Sequence, residues 1–172
     1  MSASDDFAIV PYESALLPAL LDISERAFAP NFAGMRAALP DYVFDSFYRD
    51  GWRARQRRDV TALCEETPDV AVLVAVGARD GSAVPVGFVG IRLHPQDQMG
   101  EIVIIAVDPA EQGRTVGAAL TRHALDAMRA AGMAFAMAET GMDEGHAGSR
   151  RFYERQGFAL WPVARYVRSL DE

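Results

Sequence analysis

Between Val107 and Ala119 the chain reads Val-Asp-Pro-Ala-Glu-Gln-Gly-Arg-Thr-Val-Gly-Ala-Ala, a turn of small residues between an apolar, strand-like run and an amphipathic, helix-like one. A helix start exposes backbone N–H groups that no earlier carbonyl can accept, together with the positive end of the helix dipole. Small side chains let an anion come close to that backbone, so the chemistry on offer is phosphate binding. Plain strand–helix connections look similar, and the turn takes its meaning from its surroundings. Other reactive types are sparse. His94 and His123 have no second ligand-type residue at metal spacing, so no metal site is expected. Cys64 is the only cysteine and follows Ala62 and Leu63, a packing position; it excludes an intramolecular disulfide. All 17 basic residues are arginine, so the chain has no side-chain amine of its own to modify.

The run Gln112-Gly113-Arg114-Thr115-Val116-Gly117 resembles the acyl-CoA motif of the GNAT superfamily of N-acetyltransferases, Q/R-x-x-G-x-G/A, with Thr115 where the motif has its middle glycine. Glu101-Ile-Val-Ile-Ile-Ala-Val107 is similar to the strand before that motif in the histone-acetylating branch, and Phe152-Tyr153-Glu154-Arg155-Gln156-Gly157-Phe158 to the family's late helix. Many members carry an asparagine seven residues before that tyrosine, where His146 stands here. The likeness covers nearly the whole chain, most closely from Val70 to Phe158.

The resemblance implies acetyl-CoA (and CoA) as cosubstrate, held by Ile105, Ala106 and Val107 on the strand, by Gln112, Gly113, Arg114, Thr115, Val116, Gly117 and Ala118 in the turn, and by His146 and Ser149. It implies direct transfer of an acetyl or short acyl group to a primary amine of a small molecule or peptide. An alkylammonium ionises near about 10.4, so a base must take its proton before it can attack. Glu101 is the candidate base and Tyr153 the candidate acid for the departing thiolate. Each has an ordinary alternative: Glu101 as an ion-pair partner, Tyr153 as a packed ring. His146 can be a turn residue, a cofactor contact or a substitute base. The other functional reading is an acyl-CoA-binding or regulatory domain without turnover.

Positioning these groups requires a particular order of elements. Phe7 to Tyr12 suits a short strand and Glu13 to Ala29 a helix, with Leu16, Leu17, Leu20, Ile23 and Ala27 at helical spacing and Pro30 stopping it. Asn31 to Glu66 reads as helical with breaks. Phe28, Phe32, Tyr42, Phe44, Phe47 and Tyr48 fall in the helical region that the resemblance implies forms the acceptor wall, and Phe28 and Phe32 are candidates to line it. Arg49, Arg53 and Arg57 recur four apart; they form either a solvated face paired with acids or, through Arg53, a hold on an anionic substrate group. Val70 to Ala78 and Val84 to Leu93 make a hairpin, and Gly100 to Val107 is apolar enough to be buried on both faces. A helix from Val116 closes at Gly132, Met133 to Glu139 returns as a parallel strand, a helix near His146 to Gln156 is capped by Gly157, and Phe158 to Ser169 supplies a final strand or hairpin. The fold class expected is α/β (α+β), and the resemblance implies the GNAT fold, a central mixed, largely antiparallel sheet splayed in the middle with helices on both faces.

Composition sets the limits. At 172 residues, half of them hydrophobic, residues 1–172 should form a single domain. A net charge of −7 argues against nucleic acid or an anionic membrane as partner. Met1 to Asp6 is polar and acidic, and nowhere are about 18 apolar residues contiguous, so neither a leader nor a membrane span is expected and the location is read as cytoplasmic. Monomer and homodimer both remain open.

Overall fold

The computed structural model describes residues 7–170; Met1 to Asp6, read above for a leader, lie outside the described residues. Five strands, β1 (Phe7–Pro11), β2 (Val70–Arg79), β3 (Ser82–His94), β4 (Met99–Val107) and β5 (Phe135–Ala138), form one sheet in sequence order. The first four run antiparallel and β5 is parallel to β4. Five helices accompany them: α1 (Leu17–Ala38), α2 (Asp41–Phe47), α3 (Trp52–Glu65), α4 (Val116–Ala130) and α5 (Ala147–Arg155).

Alternation along the strands sorts the apolar residues into two layers. Val72, Val74, Phe88 and Ala106 meet Leu20 and Ile23 of α1 and Val60 of α3. On the opposite face Ala75, Val89, Ile91 and Ile102 meet Val116, Leu120, Ala124 and Met128, the three-and-four-spaced apolar stripe of α4. Burial of side chains such as Leu120 and Met128 contributes about 1.5–3 kcal/mol each. Gly100 lets α4 seat so closely: a Cβ there would stand 2.4 Å from Met128.

The feature that matters for function lies in β4. Gly90 pairs with Ile104 but Ile91 with Ile102, so Val103 is an extra, unpaired residue, a bulge. β5 pairs only with Met99–Ile102 and stops there. Beyond the bulge the two strands part, and the backbone edge of β4 from Val103 to Val107 faces an opening instead of a neighbour. For that reason this strand is not buried on both faces as its composition suggests: Val103, Ile105 and Val107 are half-buried and line the opening.

Two further expectations are corrected. Pro30 does not stop the first helix; α1 runs through it to Ala38. Proline removes one hydrogen bond, but the following turns are held by packing, with Phe32 buried and stacked on Trp52 at 4.4 Å between centroids. Phe158 to Ser169 forms no strand. Trp161, Val163 and Tyr166 stay exposed, and the segment is tied to the sheet side by Arg165 to Glu139 at 2.8 Å. β5 is four residues long, too short an edge to template another strand beside it.

Candidate active site

A cleft of about 1010 Å³ opens where β4 and β5 diverge. The free edge of β4 forms its floor, the Glu111–Ala118 turn one wall, α5 the other, and α1 and α3 its far end.

The turn is built from its own polar groups. Asp108 is buried at the end of β4; its Oδ1 accepts from the Ala110 N–H at 3.1 Å and its Oδ2 from Arg26 of α1 at 3.0 Å, with Arg79 at 3.7 Å. Burial alone would raise its pKa, but the Ala110 N–H and the Arg26 charge outweigh it and the net shift is downward. Gln112 donates its side-chain amide to Val107 O at 3.2 Å, folding the turn back on the strand, and Gly113 takes φ +79°, a conformation that favours glycine. Arg114 pairs with Glu111 at 2.8 Å. Thr115, in place of the motif glycine, sits at φ −78°, ψ −8°, which any L-residue adopts; the backbone does not demand glycine there. Gly117 serves packing instead, since a Cβ would meet the Phe152 ring at 3.2 Å. The first N–H groups of α4, at Val116, Gly117 and Ala118, precede the first intrahelical donor, Ala119 to Thr115 O.

Tyr153 lines the cleft from α5. Two contacts place it. The helix ends in a Schellman turn, with Gly157 at φ +86°, Gly157 N–H to Glu154 O at 3.0 Å and Phe158 N–H to Tyr153 O at 3.1 Å. The accompanying apolar contact is the Tyr153–Phe158 ring pair, edge-on at 5.4 Å. Burial pushes the Tyr153 phenol up to about 12, so at neutral pH it carries its proton.

Ile105, Ala106, Val107, the whole Gln112–Gly117 turn except Val116, Ala118, His146, Ser149 and Phe28 share the cleft wall with Tyr153. Val116 is buried under the turn. Glu101 lies apart: it stands on β4 before the bulge, its carboxylate 2.8 Å from His94 Nε2 and 3.9 Å from Arg92, and is not in the cleft wall. Phe32 belongs to an aromatic cluster with Trp52 and Tyr48, and Arg53 stacks on Trp52 at 4.4 Å; neither reaches the cleft. The arginine row of α3 is largely matched with acid, Arg57 to Asp22 and Glu25, Arg55 to Asp59, Arg58 to Asp50. Sequence reasoning missed Asn31, Gln56, Asp59 and Glu139, which line the cleft. Gln56, Asp59 and Leu63 fall on one helical stripe, which periodicity could have shown; Asn31 was hidden by ending the helix at Pro30. Among the described residues no group of three His, Cys, Asp or Glu side chains could hold a metal, and no helix is long and apolar enough to cross a membrane.

The Acetyltransferase (GNAT) family profile matches residues 35–158, most of the chain. The chain belongs to this family. A mycothiol acetyltransferase of Streptosporangium roseum is 40% identical over 70 residues, 41% of this chain and 20% of that protein, so the chain spans about a fifth of the relative's length. Among solved structures, the PaiA N-acetyltransferase of Thermoplasma acidophilum in complex with coenzyme A superposes with a TM-score of 0.58 at 13% identity, covering 87% of each chain. The ribosomal-protein-S18-alanine N-acetyltransferase of Escherichia coli gives 0.63 at 21% identity, covering 96% of this chain and 86% of that one. These two likenesses establish the fold.

The family's cosubstrate is acetyl-CoA, and the cleft of this member suits it. Free N–H groups at the α4 start answer a pyrophosphate, Arg114 on the same wall and Arg151 and Arg155 on the α5 wall add positive charge, and the open β4 edge offers backbone groups to the amides of a pantetheine arm.

Proposed function

We propose that this protein transfers an acetyl group from acetyl-CoA directly to a primary amine of a small molecule or peptide, with Tyr153 as the acid. The observation that supports this most is the shared opening: the anion-binding turn, the unpaired edge of β4 and a protonated phenol all face one cleft. Backbone N–H groups along Val103–Val107 lie where a thioester carbonyl could be polarised, and Tyr153 supplies a proton to the departing thiolate. Bond making and breaking balance without a covalent enzyme intermediate: the N–C bond forms as the C–S bond breaks. At the far end Phe28, Asn31, Gln56 and Asp59 offer one apolar and three polar contacts, which suit a small polar amine such as the acceptors implied by the mycothiol acetyltransferase relatives. Glu101, tied to His94 and Arg92, would act as base only through a chain of water.

The reading is tested by calorimetric titration with acetyl-CoA and CoA, followed by thiol release with a panel of primary amines. Binding with amine-dependent release is expected. Binding without release from any amine would favour a domain that senses acyl-CoA, and no binding would remove the reading.

A further inference from the structure

His146 of the cleft wall is paired with the carboxylate of Asp143, and the steps above give this pair no role. Asp143 precedes the 3-10 turn Glu144–His146 that leads into α5, and its Oδ2 lies 2.6 Å from His146 Nδ1. The two side chains are 10% and 12% exposed. A carboxylate at that distance accepts the Nδ1 proton, fixing the tautomer and leaving Nε2 as the acceptor. His146 lines the cleft and stands seven residues before Tyr153. His146 is the residue that precedes α5 and Tyr153 lies in the second turn of that helix, and both line the same cleft. Helical side chains lean toward the N-terminus, which carries the phenol back toward the imidazole.

The segment bearing the pair is anchored from two sides. Arg150 donates to Gly141 O at 2.6 Å and Asp143 O at 2.7 Å. From α1, Gly34 presses on the turn so closely that a Cβ there would stand 2.4 Å from Gly145 N and 2.7 Å from Asp143 Oδ1. That Oδ1 is buried without a hydrogen-bond partner. A carboxylate half-satisfied in the interior destabilises a fold, and a residue that merely shaped the turn could be smaller or neutral. The cost is explained if the charge is needed by the ring it faces.

We propose that Asp143 and His146 are the proton-accepting pair for the acceptor amine, with His146 Nε2 taking the proton and Asp143 as the positioning residue. The proposal rests on the acetyl-transfer reading. An ammonium gives one proton to Nε2, which passes it to solvent. The neutral nitrogen attacks the thioester carbon, the C–S bond breaks, and Tyr153 gives its proton to sulfur. The second proton lost by nitrogen returns to the phenolate. The sum is amide, CoA thiol and one released proton. The charged groups of the ring's own turn are Asp143 and Glu144, α5 adds Arg150 and Arg151, and Glu139 after β5 and Asp59 of α3 line the same cleft; α1 meets the turn through Pro30 and Gly34, without charge.

The test compares wild type, H146N and D143N on a primary alkylamine that the wild type accepts and on the alkoxyamine of the same skeleton, which is already neutral at the assay pH. Asparagine keeps a polar contact but cannot relay a proton. H146N should lower kcat/KM for the alkylamine by about 10²–10³-fold but for the alkoxyamine by less than about tenfold, with the acetyl-CoA Kd unchanged within about twofold. D143N should cost about tenfold and move the acid limb of the kcat/KM profile to lower pH; it carries the test if H146N does not fold. Equal losses on both amines, a weakened acetyl-CoA Kd, or an unmoved acid limb would overturn the pair. A wild type that turns over with H146N unimpaired overturns the pair alone, whereas a wild type that binds acetyl-CoA and releases no thiol with any amine overturns the transfer reading as well.

Discussion

At the residue scale, Tyr153 and Asp108 carry opposite shifts with opposite consequences. The Tyr153 phenol is raised to about 12 by burial, so between the ordinary tyrosine range near about 10 and that value the folded chain keeps a proton that the unfolded chain has lost. Stability from this group is complete below the unfolded value and falls as pH rises through the folded one. Y153F should therefore flatten the alkaline decline of stability in denaturant titrations. In kinetics it should lower kcat by about 10²-fold at unchanged acetyl-CoA affinity. Asp108 is lowered, so its contribution is present above the unfolded carboxylate value and disappears as pH falls through the folded one. D108N leaves Arg26 and Arg79 without their shared carboxylate and should destabilise the fold by about 1–3 kcal/mol at neutral pH, with a smaller loss in acid than wild type, as urea midpoints across pH would show.

At the element scale, helix ends do much of the positioning. α4 and α5 both finish in Schellman turns, the first at Gly132 with Met133 N–H to Met128 O at 3.1 Å, the second at Gly157 beneath Tyr153. Gly157→Ala forces a positive φ on an L-residue and should cost about 1 kcal/mol. Because the same turn sets the Phe158 ring against Tyr153, kcat should fall with it, whereas the matching Gly132→Ala should cost similar stability and leave kcat nearly unchanged. Thermal unfolding beside steady-state kinetics on the two variants separates the effects. Both glycines were legible as helix stops in the sequence, since a terminal glycine after an amphipathic run is local information. Pro30 was misread for the complementary reason. Its local rule is sound, but Phe32 stacking on Trp52 and the Gly34–Gly145 contact outweigh it, and both partners are distant in sequence.

At the scale of the whole molecule, the cleft is a defect in a sheet, held open because Val103 bulges and β5 ends after four residues. Ligand that binds only the folded state stabilises it by mass action, so acetyl-CoA at about 100 times its Kd should add about 2.7 kcal/mol and raise Tm in a concentration-dependent way. No rise at millimolar acetyl-CoA would speak against the cleft as its site. The sequence by itself determined the strand–turn–helix unit around Gln112–Gly117, the late helix bearing Tyr153, the hairpin of the two long strands and the family, because these depend on short-range periodicity, turn chemistry and a local motif. Tertiary structure alone decided that Glu101 turns to His94 and Arg92, that Phe32 and Arg53 join Trp52 away from the cleft, and that Asp143 meets His146 under the pressure of Gly34. Each of those outcomes depends on which face a bulge, a continued helix or a close glycine contact presents, and such choices are made by packing between segments far apart in the chain.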